Sequence, residues 1–571
     1  MRTARMPLLL ASFLTSALAS AAFTATARAQ ATDQKTSQPA AHEPVTANDI
    51  VDRMSQAERA VLVRLKTYHP LIEVYVQNLA PDEARGWVPT DDNYFLGRLK
   101  FDDAPTLRPF GQKEPRGVML HIRSAPNVAD AFAAMVSPDW RVLERKRYEF
   151  TFVRREFLGE SRCFVFDVKP LRDDKEGFVG RIWIEDRDYN LVRFNGASRG
   201  TDGELSGLLK RTLSFHMDGW RVNTAPGVWL PASVYSEETD LNDLKQPTKQ
   251  PRFKSQVRIW GYQAQSAAAA QPQTSIRIDE PTVVDDTNRP RRLSPILSQR
   301  EWEQEAEDNV VERLEKIGLL SPRGEVDTVL ETVLNNLVVT NQVALDRPLK
   351  CRVLLTTPFE TFTVGRTIVV SRGLIDVLPD EASLAAMLAH ELAHVVLGHA
   401  LIDTKFAFAD RLMVSDRDLL DTLRFQHSTG DEEAADQKAM RLLQASPYKD
   451  RLDGAALFVR TLEERSQQLP HLIQPHIGDR IARADAKRLA ELASHAPALD
   501  AANLDQVPAL PIGARTVLDP WSGRLTLDRS PAVAPTSAHE KEPLSVTPLI
   551  PYLTYVDAVA EPRRQTSAAQ H

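Results

Sequence analysis

The stretch "PDEASLAAMLAHELAHVVLGH", residues 379–399, decides how the C-terminal half of this chain is interpreted. Its apolar residues recur at three- and four-residue spacing, which predicts a helix, and Asp380 after Pro379 is a candidate N-cap. Residues four apart in a helix project from the same face. His390 and His394 can therefore present two imidazole rings to one metal ion.

Glu391 lies one position along the helix from His390 and points towards the same region, close to the metal position but not on it. Two histidines four apart with this glutamate between them form the arrangement of a zinc peptidase, in which the carboxylate takes a proton from metal-bound water. The alternative is a buried amphipathic helix whose histidines are only hydrogen-bonded.

A catalytic zinc needs a third protein ligand and one open position. His399 is close in sequence, but a continued helix would place it on the other side of the axis from His390. Within "DEEAADQKA", residues 431–439, Glu432 and Asp436 are again one helical turn apart. Glu432 can be the third ligand, and Asp436 can accept an N–H from a zinc-bound histidine. Taken alone, this stretch is better explained as an ordinary acidic helix start.

Together, His390-Glu391-x-x-His394 and Glu432-x-x-Ala435-Asp436 resemble the gluzincin zinc metallopeptidases of the HtpX, Oma and BepA type. Residues 365–399 resemble the edge strand, Gly-Leu turn and active-site helix of that family, and the resemblance spans about residues 305–495. It implies one Zn2+ per chain, a protein or peptide substrate and Glu391 as general base. The implied ligands are His390, His394 and Glu432.

Two segments depart from the family pattern. Glu360-Thr361-Phe362 stands where the family often has Asn-Ala-Phe, and the strand at residues 367–371 is expected to align an extended peptide by β-addition. The family's later His-Pro…Arg segment is loosely matched by residues 474–483. His476 and Arg480 are therefore candidate oxyanion or substrate contacts; the alternative is a capped helix start.

The N-terminus predicts a signal peptide over residues 1–29. Arg2 and Arg5 precede a short apolar core, and Ala27-Arg28-Ala29 fits the cleavage pattern. A membrane anchor is the alternative, but the apolar core is short and rich in Ala, Ser and Thr. Residues 30–46 are a polar linker. We expect an exported protein, periplasmic or secreted, without a transmembrane span after signal cleavage.

Residues 47–284 are predicted to form an antiparallel β-rich domain after an initial helix, because residues 147–168 and 177–196 alternate apolar and polar side chains. "GRIWIEDRDYNLVRF", residues 180–194, resembles the strands of half-barrels in bacterial lipoprotein-sorting proteins. This implies envelope protein partners bound through the β-domain.

A charged, Pro-containing break at residues 285–295 predicts a domain boundary. It separates the β-domain from a zinc metallopeptidase domain over residues 296–497, which a Pro-rich extended or disordered tail follows over residues 498–571. The fold class is α+β, with a mainly helical zincin-type domain and a small edge-strand sheet. Cys163 and Cys351 could pair in an exported protein, but they fall in different predicted domains.

The net charge of -7, with both signs interspersed, argues against a nucleic-acid partner. The favoured function is an exported endopeptidase acting on unfolded or misassembled envelope proteins. The competing interpretation is a chaperone-like or lipid- or protein-binding module with a latent zincin domain. An intact Glu391 favours the enzyme, because a binding module has no need of a base.

Overall fold

A ten-stranded antiparallel sheet dominates the first half of the protein in the computed structural model. Helix α1 (Ala47–Leu65) precedes it. The strands are β1 (Leu71–Asp82), β2 (Gly86–Phe101), β3 (Pro105–Pro109), β4 (Tyr148–Leu158), β5 (Ser161–Pro170), β6 (Gly177–Glu185), β7 (Leu191–Gly200), β8 (Leu213–Ala225), β9 (Val228–Glu238) and β10 (Arg252–Trp260). Their order is β3-β2-β1-β10-β9-β8-β7-β6-β5-β4, so β3 and β4 form the two edges.

The structure describes residues 46–82, 86–101, 105–110, 136, 143–171, 177–200, 213–238, 252–262, 295–345, 347–399, 420, 425–473, 477–478, 488–497, 516–518 and 524–527.

The two faces of the sheet follow from strand alternation. On β5, Phe164 and Phe166 are buried in the hydrophobic cluster that also contains Met54 of α1. Cys163 and Val165 point to the opposite face, where they form a smaller cluster with Trp183 and Val192. Successive side chains of a strand alternate between faces. This alternation explains why neighbouring residues of β5 belong to two different clusters.

The second half is mainly helical around a three-stranded sheet. Its helices are α2 (Pro295–Ile317), α3 (Glu325–Thr340), α4 (Arg372–Val377), α5 (Glu381–Leu397), α6 (Thr429–Gln444), α7 (Leu452–Arg465), α8 (Pro470–Ile473) and α9 (Ala490–Ser494). The strands are β11 (Lys350–Leu354), β12 (Thr361–Val364) and β13 (Thr367–Ser371). A β-rich region followed by a helical region with a small sheet confirms the predicted α+β class.

The expectation that residues 367–371 align a peptide substrate is wrong. These residues are β13, which lies in the centre of the small sheet, parallel to β11 and antiparallel to β12. A strand paired on both sides has no backbone groups left for an added strand. The sequence analysis missed β12, which is one of the two edge strands of this sheet, with β11 at the other edge.

The two halves share a core where β1, β2 and β10 turn one face towards the helices. Leu71, Tyr75, Tyr94 and Leu96 belong to the same hydrophobic cluster as the buried residues of α3 and α5. Trp260 belongs to it too, and its indole N–H donates to the carbonyl of Gly318 at 2.9 Å. The β-rich region is therefore packed directly against the helical region.

Several predicted segments lie largely outside the described residues. They are the signal peptide 1–29, most of the linker 30–46, the boundary 285–295 and most of the tail 498–571. The domain limits therefore stay predictions. Within the tail, β14 (Thr516–Leu518) and β15 (Leu525–Leu527) pair, and Leu525 is buried in the core of the helical half.

Both cysteines are buried and unbridged. Cys163 lies in the small cluster on the sheet, and Cys351 lies in the core of the helical half. Burial raises the pKa of the Cys163 thiol to about 12 and also raises that of Cys351. Both thiols are therefore protonated near neutral pH and are poor nucleophiles.

Asp92 of β2 leads to a prediction about pH and stability. Burial raises the pKa of this carboxyl from 3.8 to about 7. The folded chain then holds the proton more tightly than the unfolded chain, so this group destabilises the fold progressively as pH rises from about 4 to 7. We expect the stability of the wild type, relative to Asp92→Asn, to fall across that window and to level off above it. Urea midpoints at several pH values measure this, and a pH-independent difference would contradict it.

Candidate active site

Helix α5 carries the histidine motif and is capped at both ends. Asp380 accepts the N–H of Ser383 at 2.8 Å, which satisfies an open donor of the first turn. The helix ends at Gly398, whose φ of 71° lies in the left-handed region that favours glycine. Residues 382–394 are buried without a break, so the motif lies inside the protein.

The structure brings His390, His394 and Glu432 together. Their ligand atoms all lie within 4.8 Å of one another. The two Nε2 atoms are 3.0 Å apart. Glu432 of α6 places one carboxylate oxygen 3.4 Å from His390 Nε2 and the other 3.3 Å from His394 Nε2.

The two nitrogen–oxygen distances match a tetrahedral zinc site, and the nitrogen–nitrogen distance of 3.0 Å is slightly shorter than in such a site. With zinc bonded to nitrogen and oxygen at about 2.0–2.2 Å, neighbouring ligand atoms of a tetrahedron are separated by roughly 3.3–3.5 Å. Two nitrogens and one carboxylate are also a donor set that catalytic zinc uses, with the fourth position left open. The residues present therefore fit the ion that the motif implies.

Asp436 contacts the outer nitrogen of one candidate ligand. His390 Nδ1 and Asp436 Oδ1 are 2.7 Å apart, so the carboxylate can fix the orientation of the ring. Its second oxygen accepts the N–H of Leu489 at 2.8 Å. Both carboxylates come from α6, which begins at the N-cap Ser428.

Glu391 is fully buried and held from two sides. The hydroxyls of Thr361 and Thr363 on β12 donate to its two carboxylate oxygens at 2.6 and 2.7 Å. Arg488 donates to Glu391 at 3.1 Å and also to the Thr361 hydroxyl. Burial acts to raise the pKa of Glu391, but Arg488, His390 and His394 outweigh it and lower that pKa. The group is thus held as a carboxylate, the form that a base requires.

The candidate ligands also perturb one another. Burial and Arg488 oppose a charge on His390, yet hydrogen bonds to Asp436 and Glu432 raise its pKa to about 9. Burial lowers the pKa of His394. Burial acts to raise the pKa of Glu432, but Arg488 and the two histidines lower it. The raised pKa favours protonated His390 when no metal is bound, and a metal ion must displace that proton to bind.

His399 lies closer to the site than its sequence position predicted. The helix ends before it, so the expectation that it falls across the helix axis from His390 is wrong. Its Nδ1 lies 3.0 Å from His394 Nδ1, on the side of the ring away from the ligand group. His427, which the sequence analysis missed, stacks its ring on His394 with centroids 3.8 Å apart.

His476 and Arg480, the predicted oxyanion contacts, lie outside the described residues. Arg488, which the sequence analysis did not consider, is a cation that the structure places against Glu391 and Glu432. It lies beyond the segment that suggested Arg480, and no local spacing rule connects it to the histidines. The nearby Gly478 packs so tightly that a Cβ there would come within 2.7 Å of Phe362.

A helix that carries two histidines and a glutamate, completed by a glutamate from a second helix, is the arrangement that zinc metallopeptidases use. Residues 330–487 match the model of peptidase family M48, which supports a metallopeptidase in this part of the chain. M48 peptidases are zinc-dependent. No curated protein matches the chain.

Two solved structures are similar to part of the chain. One is a LolA superfamily protein from Nitrosomonas europaea, 11% identical, with a TM-score of 0.20; the match covers 39% of this chain and 94% of that one. The other is a domain assigned as an outer membrane lipoprotein-sorting protein, from Vibrio parahaemolyticus, 9% identical, with a TM-score of 0.20, covering 38% of this chain and 94% of that one.

The ligand geometry predicts which substitutions remove zinc. His390→Ala, His394→Ala and Glu432→Ala should each lose most of the bound metal, because each removes one of three donors. His399→Ala should still bind one equivalent, with an affinity reduced by about 10–100-fold through the loss of an outer contact to His394. Metal analysis with a zinc-competition titration separates the two results. Loss of zinc from His399→Ala together with its retention by Glu432→Ala would contradict the assignment.

Proposed function

We propose that the protein is an exported zinc endopeptidase that hydrolyses peptide bonds in unfolded or misassembled envelope proteins. The observation that carries the proposal is the division of labour at α5. His390 and His394 converge with Glu432, whereas Glu391 is turned to the threonines of β12 and is outside the ligand group. An ion-binding site for structure alone has no use for a buried base beside it.

Each side chain then has a defined role. His390, His394 and Glu432 hold the ion, and Asp436 orients His390 by accepting its outer N–H. When bound, zinc supplies Lewis-acid activation of water and of the scissile carbonyl. Glu391 accepts a proton from the attacking water and returns it to the leaving amine.

Arg488 is the candidate for stabilising negative charge on the substrate carbonyl oxygen. It is buried, always charged and already lies against Glu391 and Glu432. A fixed cation in a site that excludes water stabilises developing charge more strongly than it would in water. The sequence suggested the same role for Arg480, which lies outside the described residues, so that prediction stands beside this one.

We propose that β12 is the strand beside which an extended peptide binds. Among the described strands it pairs with β13 on one side only. Its threonines contact Glu391, so a peptide bound alongside β12 would lie next to the base. β-Addition recognises the backbone of an extended chain, which suits an unfolded substrate.

Export and envelope location rest on the signal peptide predicted over residues 1–29. No helix in the described part of the chain is long and apolar enough to cross a bilayer. Envelope protein partners, bound through the β-domain, are part of the same proposal.

Glu391→Gln separates the enzyme from a binding module. The substitution keeps size and shape but removes basicity, so zinc content should match the wild type. Hydrolysis of an unfolded protein such as casein should fall by about 10²–10⁴-fold, the usual contribution of general-base catalysis. Glu381→Gln is the matched control, because Glu381 lies on the same helix and contacts Tyr448 instead of the site.

If Glu391→Gln hydrolyses the unfolded protein at the wild-type rate, the assigned mechanism is wrong. If neither form cleaves anything, yet both bind zinc and unfolded chains, the chaperone-like interpretation takes over.

A further inference from the structure

Two buried carboxylates of the β-domain reach into the peptidase half. Glu73 of β1 and Asp92 of β2 lie on the face of the sheet that packs against the helices, and they are 1% and 0% exposed. On the same face Leu71, Tyr75 and Tyr94 supply apolar contacts to the shared core. Carboxylates in such a place need hydrogen-bond partners, since an unpaired buried charge is strongly destabilising.

Glu73 finds its partners in the segment that leads into β12. It accepts the N–H and the hydroxyl of Thr357, both at 2.6 Å. Tyr94 donates to the same carboxylate at 2.8 Å. Arg258 of β10 lies 3.3 Å from Glu73 and donates to the carbonyl of Leu355 at 3.4 Å. The β-domain thus binds residues 355–357 from two adjacent strands.

Asp92 reaches the same segment through one intermediate. It accepts the N–H groups of His471 and Leu472 at 2.9 and 2.8 Å. The carbonyl of Leu472 in turn accepts the N–H of Phe359 at 2.7 Å. Positions 357 and 359 are therefore both tied to the sheet, directly or through one peptide unit.

Little freedom remains between these ties and the base. The N–H of Glu360 donates to the Ser371 hydroxyl at 3.0 Å, and the Ser371 N–H donates to the Glu360 carbonyl at 2.8 Å. The next residue, Thr361, donates its hydroxyl to Glu391. A shift of residues 355–359 is therefore transmitted to the strand that holds the catalytic carboxylate.

We propose that Glu73 and Asp92 are positioning residues of the peptidase, through which the β-domain fixes β12 against Glu391. This inference rests on the proposed function for its effect on hydrolysis. Buried ion pairs add little net stability compared with apolar contacts of similar volume. Directed hydrogen bonds add a fixed register between the sheet and the segment, which apolar packing alone does not give.

The test uses the full-length protein with two variants and one control. Glu73→Gln removes the charge, and Thr357→Val removes only one hydroxyl at nearly constant volume, so it remains informative if Glu73→Gln does not fold. Glu237→Gln is the control, because the same substitution on β9 affects contacts within the sheet, with Lys254, Tyr235 and His216. Measurements are kcat, KM, bound zinc and hydrogen exchange of residues 355–364.

We expect kcat to fall about 10-fold or more in both variants, because small displacements of a catalytic group are costly. KM and bound zinc should stay within about twofold of the wild type, and exchange in residues 355–364 should become faster. Unchanged kcat and exchange, equal losses in Glu237→Gln, or a parallel loss of zinc would each overturn the proposal.

Failure of the proposed function gives a different pattern. If the wild type shows no hydrolysis that depends on Glu391, the peptidase assignment fails. Hydrogen exchange alone then tests whether Glu73 and Asp92 fix the position of β12. Faster exchange of residues 355–364 in Glu73→Gln and Thr357→Val, but not in Glu237→Gln, then supports it. Equal exchange in all three overturns it.

Discussion

The burial of three ionisable groups on one helix is the constraint on which the rest of the structure depends. His390, Glu391 and His394 are all 0% exposed. Taking such groups out of water costs several kcal/mol each unless partners of suitable charge and geometry surround them. Several elements around α5 supply these partners, so part of the architecture of the helical half compensates for the burial of the motif.

The partners come from distant parts of the chain. Helix α6 supplies the carboxylates for the histidines, β12 supplies the hydroxyls for Glu391, and the turn before α9 supplies Arg488. The carboxylates of α6 contact the histidines, whereas the hydroxyls of β12 and Arg488 contact Glu391. The two histidines therefore face one another while the glutamate is turned aside. In the proposed mechanism, a single α-helix thereby separates metal binding from proton transfer. The sheet of the β-domain also forms hydrogen bonds with residues 355–357, the segment before β12.

Local spacing explains what could be predicted from the sequence. Two pairs of site residues are one helical turn apart: His390 with His394, and Glu432 with Asp436. Each pair lies on one face because both segments form capped helices. In the ten-stranded sheet, the alternation of apolar and polar residues predicted the strands, and Phe164 and Phe166 share a buried face. The error at His399 came from extending the helical period past Gly398, where the backbone turns into the left-handed region.

Contacts between distant segments explain what could not be predicted. β12 has four residues, too few for a visible alternation, and its role depends on threonines that meet Glu391 only in the folded chain. Arg488 lies far along the sequence from the motif, and Glu73 and Thr357 come from different halves. No periodicity or spacing rule links such pairs.

The most direct test of the account is a zinc titration of the metal-stripped protein, followed by hydrolysis of an unfolded substrate. We predict that activity rises linearly to one equivalent of zinc per chain and then levels off, and that Glu432→Ala shows no such rise. Hydrolysis that is independent of added zinc, or a wild-type rise that Glu432→Ala reproduces, would contradict a catalytic zinc held by His390, His394 and Glu432.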